Sequence, residues 1–284
     1  MPRGFNAENF WAEHTKHKEI YLEKEKVIFF DEIDSTNSEL LRRLTDCSPD
    51  NLAAMRNTLL VSATQTAGKG RMSRGFWSPR DTGIYFSFCV MPEEGVRNAA
   101  DYTVCAGIAV CRAAERIFFN GKRALQIKWV NDVLFNGLKI CGILTEGMAV
   151  PGSEKVSAAV IGIGINIAIP KSAPSEIASR MGGIIPEEDV ARWEENNSAD
   201  IRITLLSEVM HELTSIIFKK ENIIKEYQSR SWLTGKTVLV KPLAGTEDSG
   251  YPAKVLGITD SAGLLVRTED GETRELFSGE VTLH

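Results

Sequence analysis

The sequence predicts an α+β fold: a mixed or largely antiparallel central sheet, helices packed against it, and a small C-terminal β-barrel. Three observations predict it. Strand-like and helix-like runs are interleaved without the strand–helix–strand rhythm of a doubly wound sheet. Asn136-Gly137 between two apolar runs is a tight hairpin signal, which requires antiparallel neighbours. After Trp232 come short β-prone runs separated by turns, TGKTVLVKP, GYPAKVLGIT, GLLVRTED and TRELFSGEVTL, the pattern of a barrel of about 50 residues.

Residues 1–26 are polar, charged and helix-prone, with Ile20 and Tyr21 as apolar anchors. Val27 to Phe30 is β-branched and aromatic, a strand that runs into DEIDSTN, where Ser35 or Thr36 caps a helix through about Leu44. Thr58 to Ala63 and Ile84 to Val90 are strands flanking a glycine-rich loop. Ala99 to Phe119 carries an apolar stripe at helical spacing. Gln126 to Trp129 is strand-like, Val133 to Phe135 and Lys139 to Leu144 flank the hairpin turn, and Val156 to Ile167 is a buried strand. An amphipathic helix is expected from about Ile203 to Ser229. The expected units are an extension over 1–26, a catalytic domain over 27–232 and the barrel over 233–284.

At 284 residues the chain holds one sizeable core plus a small second unit. A formal charge of −5 argues against coating nucleic acid by bulk charge. No apolar run reaches membrane-spanning length and Met1 to Tyr21 is too charged for a signal peptide, so a cytoplasmic protein is expected. Five cysteines without C-x-x-C spacing read as reduced core thiols, and the four scattered histidines argue against a metal site built from side chains alone.

Thr64 to Pro79, TQTAGKGRMSRGFWSP, carries the strongest chemical signal. Gly68 and Gly70 stand among Lys69, Arg71 and Arg74, ahead of Phe76 and Trp77. Glycines tolerate positive φ and let N–H groups converge on an anion, and flanking cations favour a phosphate. The spacing is neither a Walker loop nor the dinucleotide G-x-G-x-x-G. Alone, it fits a phosphate-binding loop or a solvated connector.

Three more segments cluster polar groups at element ends. Asp34-Ser35-Thr36-Asn37 offers more side chains than one helix cap needs. Lys128-Trp129-Val130-Asn131-Asp132 sets an ammonium, an amide and a carboxylate between two strands. Ile161 to Ile167, IGIGINI, places glycines inside a strand, where they mark close approach of another group, followed by the amide Asn166.

In this order the segments DSTN, QTAGKGRMSRGFWSP, KWVNDVLFNGLKICGILTE, GIGINI and SGEVTL resemble the biotin–protein ligase family, from about Val27 to the C-terminus. The resemblance implies a class II synthetase-like core. It also implies ATP-dependent activation of biotin to biotinyl-5′-AMP, then transfer of biotin to a lysine of a biotin carboxyl carrier protein. Ser35, Thr36, Asn37 and Gln65 would hold the biotin head group, with Lys69, Gly70, Arg71 and Lys128 on the ligand. Gly68, Arg74, Phe76, Trp77, Asn131, Asp132, Lys139 and Asn166 would line the adenylate side. Lys128 and Arg71 would be catalytic, and Mg²⁺ would arrive on ATP, with Asp132 beside it. Val130 stands where the family has proline and Ser73 where it has glycine. Either Phe76 or Trp77 could cover the ligand.

The short extension leaves too little chain for a winged helix-turn-helix module, so no DNA partner is expected. Monomer and homodimer both fit. The rival readings are a lipoate–protein ligase-like enzyme and a non-catalytic biotin sensor.

Overall fold

The computed structural model describes residues 4–93, 95–96, 98–149, 156–241 and 250–283. In chain order the first half contains α1 (Ala7–His14), β1 (Val27–Phe30), α2 (Thr36–Asp46), β2 (Leu59–Ser62), β3 (Gly83–Val90), α3 (Ala99–Phe118), β4 (Gln126–Lys128), β5 (Asp132–Phe135), β6 (Leu138–Ala149) and β7 (Val156–Asn166). There follow α4 (Ser175–Ala178), α5 (Val190–Asn197), α6 (Ile201–Phe218) and α7 (Ile224–Ser229). The last strands are β8 (Thr237–Lys241), β9 (Tyr251–Ile258), β10 (Leu264–Thr268), β11 (Thr273–Leu276) and β12 (Glu280–Leu283).

Seven strands form one sheet in the order β1-β2-β3-β7-β6-β5-β4. Only β1 and β2 run parallel, and every other pairing in the sheet is antiparallel. The β5–β6 hairpin turns at Asn136 (φ 50°) and Gly137 (φ 80°), both in the left-handed conformation that this dipeptide favours.

Strand alternation divides the sheet into two chemical faces. Leu59, Val61, Phe86, Phe88, Ile161 and Ile163 point into the main core beneath α3 and α6. Leu60, Cys89, Ala158 and Val160 point the other way, against Leu40 and Leu44 of α2. Full burial of each of those leucines contributes about 1.5–3 kcal/mol, which fixes α2 on its side of the sheet. Gly162, Gly164 and Ser87 share the α2 face, so the open part of that face lies beyond the α2 N-terminus.

Two helical expectations change. The long helix expected to reach Ser229 ends at Phe218 and restarts at Ile224. Lys220 takes φ 51° while the N–H groups of Lys220 and Glu221 bond back to the Ile217 and Ile216 carbonyls. That is a helix stop normally marked by glycine, and a lysine there hides it. Among the described residues of the first 26 only Ala7–His14 is α-helical, and Phe10, Trp11 and Leu22 are the buried anchors while Ile20 is exposed. Phe10, Trp11 and His14 share one face of α1, which packs on α6.

After Trp232 the chain forms a five-stranded antiparallel sheet in the order β11-β10-β9-β8-β12. Val238, Val255 and Leu264 join the same core as Ile127 and Trp129. The indole Nε1 of Trp129 donates to the Ala262 carbonyl at 3.0 Å, tying this sheet to the turn between β4 and β5.

Candidate active site

The α2 N-terminus supplies the first wall. Ser35 caps the helix, its Oγ accepting the Ser38 N–H at 3.4 Å. The Thr36 N–H donates to Gln65 Oε1 at 2.8 Å, and Gln65 Nε2 donates to Ser78 Oγ at 3.0 Å. Behind them Arg42 grips Asp34 with two bonds of 2.8 and 2.9 Å, which pull the Asp34 carboxyl down to about 2. Asn37 is fully engaged by the protein. Its Nδ2 donates to Leu144 O at 3.2 Å and Glu146 at 2.8 Å, and its Oδ1 lies 2.5 Å from Ser87 Oγ.

The glycine-rich loop is a narrow hairpin. Lys69 bridges Gly75, the Gly70 N–H donates to Arg74 O at 2.8 Å, and the Phe76 N–H donates to Gly68 O at 2.7 Å. The left-handed residues at its tip are Met72 (φ 57°) and Ser73 (φ 58°), whereas Gly68 and Gly70 keep ordinary φ. Gly68 is required for another reason: a Cβ there would stand 2.5 Å from the Phe76 carbonyl and 2.7 Å from Ser78 Oγ. The loop delivers Phe76 onto bare backbone, with its ring against Gly164 and Gly142. The two strand glycines on this face thus make room for an aromatic side chain from the loop.

Cations converge beyond Phe76. Arg71 donates to Asn131 Oδ1 at 3.2 Å and to Gly279 O at 3.1 Å, and burial lowers its pKa. Arg74 pairs with Glu280 of β12 at 2.6 Å, which holds that carboxyl below its usual range. Lys139 lies 2.7 Å from Asp132 Oδ1, off the hydrogen-bonding direction, and 5.7 Å from the Phe76 ring centre. Lys128 is half-buried and makes no hydrogen bond or ion pair among the described residues, and burial lowers its pKa. An ammonium kept partly out of water without a partner is poised for an anion.

Neighbouring contacts hold that ammonium in place. The cis Trp129–Val130 peptide follows Lys128, and the Val130 carbonyl accepts from Tyr227 Oη at 2.9 Å. The Ile127 N–H donates to Arg230 O at 2.8 Å. Arg230 itself forms a buried two-pronged pair with Glu115, both bonds 2.8 Å.

Two cavities result, and they share Gly70, Arg71, Phe76, Asn131 and Lys139. The first is lined by Ser35, Thr36, Asn37 and Gln65 with the sheet glycines, a hydrogen-bonding wall, and by the cations Lys69, Arg71 and Lys139. The second adds Lys128, Arg74, Asp132 and Glu280, and is rich in cations. A pocket with a hydroxyl- and amide-lined wall thus opens into a second one beneath a single loop, and cations line both.

The model of the biotin/lipoate A/B protein ligase family matches residues 31–166, a span that holds the α2 N-terminus, the loop, Lys128 and β7. That span is just under half of the chain, which is similar to this family there. Among its relatives, the bifunctional ligase/repressor of Bacillus subtilis is 28% identical over 265 residues, covering 90% of this chain and 74% of that protein. The biotin–[acetyl-CoA-carboxylase] ligase of Mycobacterium tuberculosis is 29% identical over 252 residues, covering 87% and 85%. The Aquifex aeolicus biotin protein ligase, solved in complex with biotin and ATP, superposes with a TM-score of 0.65 at 26% identity. The match covers 91% of this chain and 98% of that one.

Gly68, Trp77 and Asn166 line neither cavity. Gly68 shapes the loop and Trp77 is half-buried outside it. Asn166 is buried on the Gly164 face of β7, its Nδ2 without a partner among the described residues. Of the two loop aromatics, Phe76 is therefore the one that faces the cavities. Sequence reasoning missed Ser87, Glu146 and Glu280. A serine and a glutamate inside strand runs were the only signals for the first two. Glu280 sat in plain view in SGEVTL.

Proposed function

We propose that the chain is a biotin–protein ligase that condenses biotin with ATP to biotinyl-5′-AMP and passes the biotinyl group to a lysine of a biotin carboxyl carrier protein. The observation that carries this reading is the joined pair of cavities, one walled by Ser35, Thr36, Asn37 and Gln65 and the other bearing Lys128 and Arg74, with Arg71 and Lys139 lining both. The first step brings two anions together, because the biotin carboxylate attacks the α-phosphate and expels pyrophosphate. Fixed cations and N–H dipoles at the junction offset that repulsion, and Lys128, Arg71 and Lys139 surround it. The wall of Ser35, Thr36, Asn37 and Gln65 suits a ureido ring, whose amide-like groups need buried partners. Phe76 closes the slot between the ends.

In the second step the carrier's lysine amine attacks the acyl carbon and AMP leaves, its negative charge facing the same cations. Mg²⁺ fits as an ion brought by the nucleotide. Asp132 and Glu280 are the carboxylates of the cationic cavity, and no group of three or more metal-binding side chains occurs among the described residues. Asp132 would then exchange Lys139 for the metal.

The test is pyrophosphate release from ATP in the presence of biotin or of lipoate, with mass spectrometry for the retained acyl-adenylate. Biotin-dependent release and biotinyl-adenylate are expected. Release with lipoate but not with biotin overturns the assignment.

A further inference from the structure

Lys128 lines the second cavity with no hydrogen bond or ion pair of its own among the described residues, so the backbone that carries it decides where its ammonium stands. That backbone is β4 and the turn Trp129 to Asn131, which leads into β5 and sets Asp132 opposite Lys128. β4 has three residues and lies at one end of the sheet order, so the seven-stranded sheet holds it from one side. The end of α7 and the residues after it hold the other side. The Ile127 N–H donates to Arg230 O at 2.8 Å, and the Trp232 N–H donates to Ile127 O at 2.9 Å. Beyond Lys128 each turn residue is anchored separately. Trp129 Nε1 reaches Ala262 O, and Asn131 exchanges bonds of 2.8 and 2.9 Å with the Ile143 backbone. Between them Val130 O accepts from Tyr227 Oη at 2.9 Å. Helix α7 thus grips the chain on both sides of Lys128, by backbone at Ile127 and by one phenol at Val130.

We propose that Tyr227 is a positioning residue for adenylate formation: its hydroxyl holds the Trp129 to Asn131 turn so that the Lys128 ammonium stays in the second cavity. The inference rests on the biotin ligase reading, in which Lys128 meets the charge of the reacting carboxylate and phosphate. Tyr227 lines neither cavity and touches no ligand. Its ring is 1% exposed and packed in the main core, so the hydroxyl at its end has a fixed place. Burial pushes that hydroxyl well above its ordinary pKa, which keeps it protonated and a donor. A phenylalanine would fill the core equally well. What it would lack is the bond to Val130, and with it the anchor at the middle of the turn.

The experiment compares wild type, Tyr227→Phe, Lys128→Ala and the double variant, all assayed below the lowest of their melting temperatures. It measures kcat and KM for biotin and ATP in pyrophosphate release, with accumulated acyl-adenylate followed to long times for the slow variants. Tyr227→Phe should lower kcat by between about tenfold and about 10²-fold, since a catalytic group displaced by about 1 Å can lose that much. KM for biotin and for ATP should each stay within about threefold of wild type. In the Lys128→Ala background the same substitution should change kcat by less than about twofold, because the group it positions is already gone. A phenol that only stabilises the fold would lower the rate by the same factor in both backgrounds. That result, an unchanged kcat in Tyr227→Phe, or a loss carried by KM alone overturns the proposal. A wild-type chain that releases pyrophosphate with no biotin dependence would instead overturn the ligase reading.

Discussion

Phe76 occupies the space that a side chain at Gly164 would need: a Cβ there would lie 2.4 Å from Phe76 Cε1 and 2.6 Å from Cζ. Loop and sheet are therefore fitted to one another through an absent methyl group. Gly164→Ala should push the ring off β7 and lift the loop that carries Lys69 to Arg71. Overpacking of this kind costs about 1–3 kcal/mol. We expect a clear drop in melting temperature and at least a tenfold loss of adenylate formation. Gly142→Ala should be milder, since its Cβ would meet Phe76 at 2.9 Å and the flexible end of Lys139 at 3.0 Å. Adding Phe76→Ala to Gly164→Ala should restore stability to the level of Phe76→Ala alone. Strict additivity of the two would show that ring and glycine do not compete.

Lys128 separates catalysis from stability. Its ammonium is partly desolvated and makes no ion pair among the described residues, so the fold gains nothing from its charge. Lys128→Ala should lower adenylate formation by about 10²-fold or more, the range for losing one charge-stabilising donor. Its melting temperature should equal or exceed that of wild type. Near-normal pyrophosphate release would remove Lys128 from the chemistry.

Much of this site was legible because its chemistry is local in sequence. DSTN, the basic loop and K-W-V-N-D each place their polar groups within a few residues at an element end. Strand boundaries were readable for the same kind of reason, as with Val27 to Phe30 and the Asn136-Gly137 turn. What stayed hidden depends on packing between distant segments. Ser87 and Glu146 look like ordinary strand residues until β3, β7 and β6 pair, which sets them beside Asn37 of α2. Gly68 was read as a source of positive φ, whereas its role is to let the Phe76 carbonyl approach. The left-handed residues are Met72 and Ser73, whose side chains gave no hint of it. Lys220 likewise ends α6 where a glycine would have announced the stop.

The loop is latched to the C-terminal sheet through Arg74–Glu280 and through Arg71 on the Gly279 carbonyl. Arg74 is largely exposed, and such a pair is worth only about 0.2–1 kcal/mol. Glu280→Ala should therefore raise the rate of trypsin cleavage after Arg71 and Arg74 by no more than about fivefold in the ligand-free protein. Saturating biotin and ATP should abolish the difference, because the ligands then hold the loop. Identical cleavage of variant and wild type without ligands would mean that the latch contributes nothing.

Acid should loosen the packing of α1 on α6. His14 is buried between Phe10 and Ser207, and His17 stacks on His211 with ring centres 4.1 Å apart. Burial, then the neighbouring His17, lowers His14 to about 4, and burial followed by His211 lowers His17. His14 is thus neutral in the fold down to about pH 4, while an exposed histidine takes up its proton near 6.5. The unfolded chain binds more protons in between, so stability is full above about 6.5 and falls as pH drops toward about 4. For His14 the span from 6.5 to about 4 corresponds to roughly 3 kcal/mol at most. Carboxylates held below their usual range release their contribution only at lower pH, so between pH 6.5 and 5 the imidazoles dominate. Melting temperatures over that interval should fall for wild type and fall less for His14→Gln, which keeps a polar group beside Ser207 but takes up no proton. Parallel curves for the two proteins would show that His14 is not the group responsible.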